Sequence, residues 1–395
     1  MVETVNQYDA IIVGGGNVGA TAALGLAQLG YQVAIIDKQP APILQLNETL
    51  TARVTALNLA SIDFLEQLGV WAQVMAIRAT PFVSMQVWEQ GGAAEISFQA
   101  KETSHNKLGV IVENAVLQTA LNLQINVHDS ITRYSNKALQ QCSSVGEEVM
   151  LLECEDGTKL TTPLVLGADG QQSQLRSCMN IQFTQKDYQQ RGIVAIIESE
   201  YAHQDTAWQC FTQQGPLALL PISEKHCSIV WSVSEMRCKE LMDMPIEDLN
   251  QHLTAAFEYK LGRLTVTSEC LSFPLQGAQS ARYIDHRMAL LGDAAHVVHP
   301  LAGLGLNLGL ADVRCLTDLI ATSDRPLGSA RVLRHYELAR KSENAIMQKA
   351  LEGIDQLFRS DQQLLRSARS IGVNFTNKTA ALKMFFMQKA LGVNV

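Results

Sequence analysis

The chain has 395 residues, 47% of them hydrophobic, and a formal net charge of −8. That length suggests two domains or one elaborated domain, and the acidic balance gives no general attraction for nucleic acid. Eight cysteines scattered without a CxxC pair argue against a zinc module or a disulfide framework and fit a reduced, cytoplasmic setting.

The opening MVETVNQ carries an acid and no basic flank, which makes it a poor signal or transit peptide. No apolar run reaches the length needed to span a bilayer. YDAIIV (Tyr8–Val13) then reads as a short buried strand, followed by GGGNVG, an Ala- and Leu-rich helix to Gly30, and a second strand, QVAIID, ending at Asp37. Gly14, Gly16 and Gly19 occupy the GxGxxG positions. The first permits a tight turn, the second lets backbone approach a pyrophosphate, and the third lets the helix pack close to the sheet. The helix start offers free N–H groups and a positive dipole end to phosphate. Asp37 can accept hydrogen bonds from both ribose hydroxyls and argues against a 2′-phosphate. The unit reads as a dinucleotide site, with NAD and FAD both open.

Farther along, PFVSMQVWEQ, EISFQ, GIVAIIESE, AWQCFTQQ, PLALLPI and CSIVWSV read as short strands. The inner face of such a sheet can line an apolar pocket, with Met85, Val87, Trp208, Phe211, Leu219 and Trp231 as candidates; Cys210 reads as a packing cysteine. PLVLGADGQQSQLR (Pro163–Arg176) and RMALLGDAAH (Arg287–His296) are two more apolar strands ending in Gly-Ala-Asp-Gly and Gly-Asp. Three such strand ends suggest an extended ligand gripped along its length.

GDAAHVVHPLAGLGLNLG (Gly292–Gly309) concentrates small residues around one carboxylate and two histidines. His296 and His299 lack a nearby third ligand, so no metal site is expected. As acid–base catalysts they are weak candidates, and no GxSxG elbow supports a serine triad. From about Ala330 the periodicity is helical. ALKMFFMQKALGVNV sets Met384, Phe385, Phe386, Met387 and Leu391 beside Lys383 and Lys389, either as a docked helix or as a peripheral membrane or partner face.

The sequence resembles the FAD-dependent aromatic hydroxylases related to para-hydroxybenzoate hydroxylase, and more narrowly the ubiquinone-biosynthesis hydroxylases. GGGNVG, GADGQQSQLR and GDAAHVVHPLAGLGLNLG carry the resemblance. ARVTALNLASIDFLEQLGVW (Ala52–Trp71), LGVIVENAVLQTAL (Leu108–Leu121) and GPLALLPI (Gly215–Ile222) extend it over nearly the whole chain. It implies an α/β fold with a Rossmann-like FAD-binding domain (1–79, 105–181 and 281–329). A β-sheet substrate domain (80–104 and 182–280) is inserted into it, and a helical C-terminal tail (330–395) follows.

By the same resemblance, Arg53 lies beside the flavin, and Asn114 and Gln118 reach FAD from a helix. Asp169 and Gly170 form a second contact, with Arg176 structural, and Asp293 meets the ribityl chain. Pro300 stiffens a turn, and the backbone of Gly303, Leu304, Gly305, Leu306 and Asn307 moulds itself to the isoalloxazine ring. Many relatives carry Gln at the position of Leu304, a change that is tolerated if backbone makes the contact. The implied chemistry uses NAD(P)H as a transient donor and O2 to form a flavin C4a-hydroperoxide. That species hydroxylates a polyprenylated phenol or quinol, with the demethoxyquinol-hydroxylating members nearest. A ubiquinone-biosynthesis protein complex and peripheral contact with the inner face of the cytoplasmic membrane are the implied partners. A hydroxylase of a soluble aromatic substrate and a non-catalytic flavoprotein scaffold remain as alternatives.

Overall fold

A computed structural model describes residues 6–42, 50–92, 95–298, 303–359 and 391–392. In chain order, the elements that build the site begin with β1 (Ala10–Val13), α1 (Asn17–Gln28) and β2 (Val33–Asp37). β3 (Val54–Leu57) and α2 (Leu59–Gln67) follow, then β4 (Ser84–Glu89), β5 (Glu95–Gln99), β6 (Gly109–Glu113), α3 (Asn114–Ile125) and β7 (Ile131–Ser135). β8 (Val165–Gly167) and α4 (Gln174–Cys178) lead into the long strand β9 (Phe183–Ser199). β10 (Thr206–Thr212), β11 (Gly215–Pro221), β12 (His226–Ser234) and β13 (Leu271–Ser280) complete its sheet. β14 (Met288–Leu290), α5 (Gly305–Ala321) and α6 (Ala330–Arg359) close the described chain.

β1 is AIIV with all four residues buried, the signature of a strand covered on both faces. It lies inside a sheet of order β14-β8-β1-β2-β7 in which every pair is parallel, with Ile284–Asp285 added antiparallel at the β14 edge. Parallel strands carry their ligands beyond their carboxyl ends. Here those ends are Val13, Asp37, Gly167 and Leu290, so the three glycine-rich turns meet on one side of the sheet.

The second layer is a nine-stranded sheet containing β13-β9-β12-β11-β10-β4-β5 in that order. Residues 84–99 and 183–280 supply nearly all of it, and His296–Val297 adds a short strand paired to β13. The helices Glu235–Met242 and Ile246–Ala256 cover its far face and enclose a second core around Trp231, Phe257 and Leu253. The sequence reading did not anticipate these helices, nor the antiparallel excursion of Leu139–Val145, Val149–Cys154 and Lys159–Thr162. Of the tail, α6 is described to Arg359. Met384, Phe385, Phe386, Met387, Lys383 and Lys389 fall outside the described residues.

Candidate functional site

The turn after β1 has the geometry its glycines demand. Gly14 has φ +100°, a conformation that side chains penalise, and a Cβ there would sit 2.4 Å from the Ala168 carbonyl oxygen. A Cβ on Gly19 would lie 1.9 Å from the Gly14 carbonyl oxygen, so α1 approaches the turn only because that position is bare. Gly16, by contrast, faces open space. No side chain caps the start of α1, and Asn17 Oδ1 is buried without a partner among the described residues. A free helix start with an open backbone position is what a pyrophosphate requires.

Asp37 ends β2. Its two oxygens accept backbone N–H bonds, from Gly15 and, at 2.8 Å, from Gln39. Each oxygen keeps a further lone pair for a ribose hydroxyl. Gln118 acts one step back from where sequence put it. It is 8% exposed, and its Nε2 donates to the Gly15 carbonyl at 3.0 Å, bracing the turn rather than entering the open site. Asn114 starts α3 and lines the cavity, its Oδ1 held by Thr55 Oγ1 at 2.7 Å. Arg53 also faces the cavity, and its side chain has no ion-pair partner among the described residues.

At the second turn, Ser173 caps α4 and Asp169 supports its start: Asp169 Oδ2 accepts from the Gln174 N–H at 2.6 Å and the Leu175 N–H at 3.3 Å. The other oxygen, Oδ1, is buried and unpartnered among the described residues, and Gly170 follows with φ +78°. Arg176 ties this turn to the third one. One guanidinium nitrogen donates to Ala294 O at 2.9 Å and another to Gln171 O at 2.6 Å, while the group lies 3.6 Å over the Phe183 ring.

The third turn carries Asp293. Its carboxylate is exposed to the cavity, where desolvation by the surrounding walls pushes its pKa up, with His296 opposing and Asp312 reinforcing. Gly303 (φ +60°) and Leu304 line the same wall. α5 starts without a side-chain cap, and its first intrahelical bond runs from the Leu308 N–H to Leu304 O at 3.0 Å. The N–H groups of Gly305, Leu306 and Asn307 precede that bond and point along the positive end of the helix. A Cβ on Gly305 would meet nothing. The Asn307 side chain is spent on protein. Its Oδ1 accepts from Asn58 N and Ser61 Oγ and its Nδ2 donates to Ala56 O, so only its backbone is available to a ligand.

His296 leaves the list of acid–base candidates on geometry. It is 2% exposed, its Nε2 lies 2.6 Å from Asp312 Oδ2, its ring stacks on Tyr283, and it does not line the cavity. Asp312 is fully buried on α5 and also receives the Gly292 N–H (3.0 Å), Arg340 Nε (2.7 Å) and Asn344 Nδ2 (3.3 Å). Burial alone would raise its carboxyl pKa; His296 and Arg340 outweigh that and bring it to about 2. This cluster bolts the Asp293 loop to α5 and α6. His299 and Pro300 lie outside the described residues.

One cavity of about 640 Å³ joins these loop groups to the inner face of the nine-stranded sheet. Met85 lines it as expected, and Trp208 borders it while its ring packs edge-on against Trp88 and Phe257. Leu219 and Trp231 do not line it. Strand side chains alternate, and the phase puts Ala218, Leu220, Val230 and Ser232 on the cavity side, which sends Leu219 and Trp231 into the second core at 0% and 1% exposure. Phe211 shares the inner face but lies past the cavity, against Val298 and Leu351, and Val87 packs with it. Sequence reasoning missed Phe82, Phe98, Phe273 and the pair Gln171 and Gln276. It also missed Leu391 as wall: that residue is 4% exposed and faces the cavity. Cys210 is fully buried, and burial pushes its thiol up to about 12, in keeping with a packing role.

The residues present therefore fit a dinucleotide running from Asp37 past Gly16 to the start of α5. Comparison with known proteins names the ligand. A family model described as an FAD binding domain matches residues 7–350. The chain is 35% identical over 395 residues to the 3-demethoxyubiquinol 3-hydroxylase of Escherichia coli (strain K12), covering 99% of this chain and 100% of that one. It is 31% identical to the ubiquinone hydroxylase UbiL of Rhodospirillum rubrum, covering 97% and 89%. Among solved structures it is similar to p-nitrophenol 4-monooxygenase PnpA from Pseudomonas putida, with TM-score 0.78 at 15% identity over 99% and 100% of the two chains. PqsL from Pseudomonas aeruginosa aligns with TM-score 0.76 at 22% identity over 93% and 100%. At those identities the two structures establish the fold alone.

Proposed function

This chain belongs to the FAD-binding family of aromatic-ring monooxygenases that includes the ubiquinone-biosynthesis hydroxylases, and from that membership we infer that it hydroxylates the ring of a polyprenylated phenol or quinol, of the 3-demethoxyubiquinol type. The observation that carries this reading is the single cavity, with the flavin loops at one end and an uncharged wall at the other. On the sheet side that wall is apolar and aromatic (Phe82, Met85, Phe98, Leu220, Val230, Phe273) with neutral amides and one serine, and among the described residues it includes no Lys, Arg, His, Asp or Glu. A carboxylated aromatic would find no cation on this wall and, among the described lining residues, only Arg53 could pair with it; away from Arg53 its charge would be costly. A neutral ring with an apolar tail meets no such cost. This disfavours the soluble aromatic-acid alternative.

FAD, when bound, supplies the redox chemistry, taking electrons from NAD(P)H and passing one oxygen atom of O2 to the ring. The chain's own contribution is placement. The turn at Gly14–Gly19 and the free start of α1 would hold the pyrophosphate, Asp37 the adenosine ribose, and Asp293 the ribityl chain. Arg53 and Asn114 would border the ring. The backbone N–H groups at Gly305–Asn307, at the positive end of α5, favour negative charge at the pyrimidine edge. The sheet roof and Leu391 exclude water from the reacting face. Association with partner proteins of ubiquinone assembly, and peripheral contact with the inner face of the cytoplasmic membrane, belong to the same proposal. A substrate with a prenyl tail resides in lipid, and no described helix is long and apolar enough to cross a membrane.

The test is turnover. FAD-loaded protein given NADH or NADPH, O2 and a short-chain prenylated demethoxyquinol should yield a product heavier by one oxygen. 4-Hydroxybenzoate should stimulate neither nicotinamide oxidation nor product. Retained flavin with no phenol-stimulated NAD(P)H oxidation would instead support the scaffold reading.

A further inference from the structure

Two glutamines from opposite walls meet inside the cavity. Gln171, directly after the Asp169–Gly170 turn, donates through Nε2 to Gln276 Oε1 on β13 at 2.8 Å. Both are half-buried and both line the cavity. Neither is free to drift. Arg176, itself 7% exposed, grips the Gln171 carbonyl and the Ala294 carbonyl together, which fixes Gln171 relative to the loop that carries Asp293. Gln276 is held in the β9–β13 ladder opposite Asp187, where the register shifts.

A carboxamide offers one acceptor oxygen and two N–H donors. The mutual bond consumes one N–H and one lone pair, so the couple still presents a free carbonyl oxygen and free N–H groups. Reversing both amides presents the same set. Such a neutral donor–acceptor couple, in a largely apolar wall that also carries Gln209 and Ser232, suits a ring that carries one oxygen able to donate and a neighbouring oxygen able to accept.

We propose that the Gln171–Gln276 pair is the specificity-determining element of the cavity, reading two adjacent oxygen substituents on an uncharged aromatic ring. A ring hydroxyl donates to Gln171 Oε1, and the neighbouring ring oxygen accepts from Gln276 Nε2. This rests on the hydroxylase reading above and extends it to the residues that choose and orient the ring. A site built to hydrogen-bond an oxygen discriminates strongly against the analogue lacking it, because its own polar groups are then left unpaired.

The test pairs two substrates with two proteins. One phenol bears a short prenyl chain and a methoxy group beside its hydroxyl; the other has methyl in place of methoxy. Wild-type protein should favour the first by about tenfold or more in kcat/KM. Gln276→Met, which keeps the volume, should bring the two within about threefold, mainly through KM, and should form less product per nicotinamide oxidised. Gln171→Met should do the same and serves if the first variant fails to fold. Retention of the full preference by both variants, or no preference in the wild type, overturns the proposal. If wild-type protein hydroxylates neither phenol, the hydroxylase reading fails instead. The pair is then judged by binding, through the change each phenol makes in the visible spectrum of oxidised FAD-loaded wild-type and Gln276→Met protein.

Discussion

The turn at Gly14–Gly19 and the roof strand β11 ask opposite things of their residues. In the turn, two positions have no room for a Cβ, and a third must stay open. In the roof, hydrophobic side chains serve on either face, since one face lines the cavity and the other packs on Glu235–Met242 and Ile246–Ala256. A backbone constraint leaves a mark on the residue type. An apolar contact leaves one that reads the same in both directions.

The hardest way to break this comparison is Gly19→Ala. A methyl group 1.9 Å from the Gly14 carbonyl oxygen cannot be absorbed by a side-chain shift. The variant should lose FAD affinity by about 100-fold or more, or fail to fold, as read by flavin fluorescence and circular dichroism. Yellow protein with wild-type affinity would show that the close approach is not required.

Next in size is the buried cluster behind the Asp293 loop. Asp312→Asn leaves Arg340 without its buried partner charge and should cost about 3–5 kcal/mol in urea melts. The wild type carries a related pH signature. The folded pKa of Asp312, about 2, lies below the ordinary carboxylate value, so its stabilisation is present above about pH 4 and is lost as pH falls through about 2. That acid-dependent loss, on the order of 2 kcal/mol, should be missing from Asp312→Asn. A wild-type acid profile in the variant would remove Asp312 from the account.

The roof offers a finer contrast between neighbours. Leu219→Ala should destabilise by about 2–4 kcal/mol and leave substrate KM unchanged, because its side chain lies in the second core. Ala218→Phe should cost about 1 kcal/mol or less and raise KM by about tenfold or more, because it fills the cavity. The reverse pattern would mean the strand is in the opposite phase. Smallest of all is Leu304→Gln. If the loop meets the flavin through backbone, FAD affinity should change by less than about threefold; a larger gain would assign the contact to the side chain.

How far the site was legible follows the same division. Gly14, Gly16, Gly19, Asp37 and Asp293 were readable because each is demanded by a turn or a strand end. The faces of Leu219 and Trp231 were not, because GPLALLP in β11 and HCSIVWSV in β12 are largely buried on both sides and lack a clear polar alternation. The cluster around His296 was hidden for another reason. Its partners lie 16 residues away on α5 and, beyond that, on α6, a pairing that only the tertiary fold creates. Gln118 and Asn307 were expected to reach the cofactor, yet their side chains brace backbone at Gly15 and Ala56. Gln171 and Gln276 escaped notice because a neutral amide carries no motif.

One cavity is shared by the loops proposed to hold the flavin and the wall proposed to hold the ring. The most direct test is a spectral titration of FAD-loaded, oxidised protein with a neutral short-chain prenylated phenol. The expected result is a saturable perturbation of the flavin absorption bands that Ala218→Phe abolishes while flavin stays bound. Unchanged flavin bands in wild-type protein that nevertheless binds the phenol, as measured by calorimetry, would place the ring elsewhere and contradict the account.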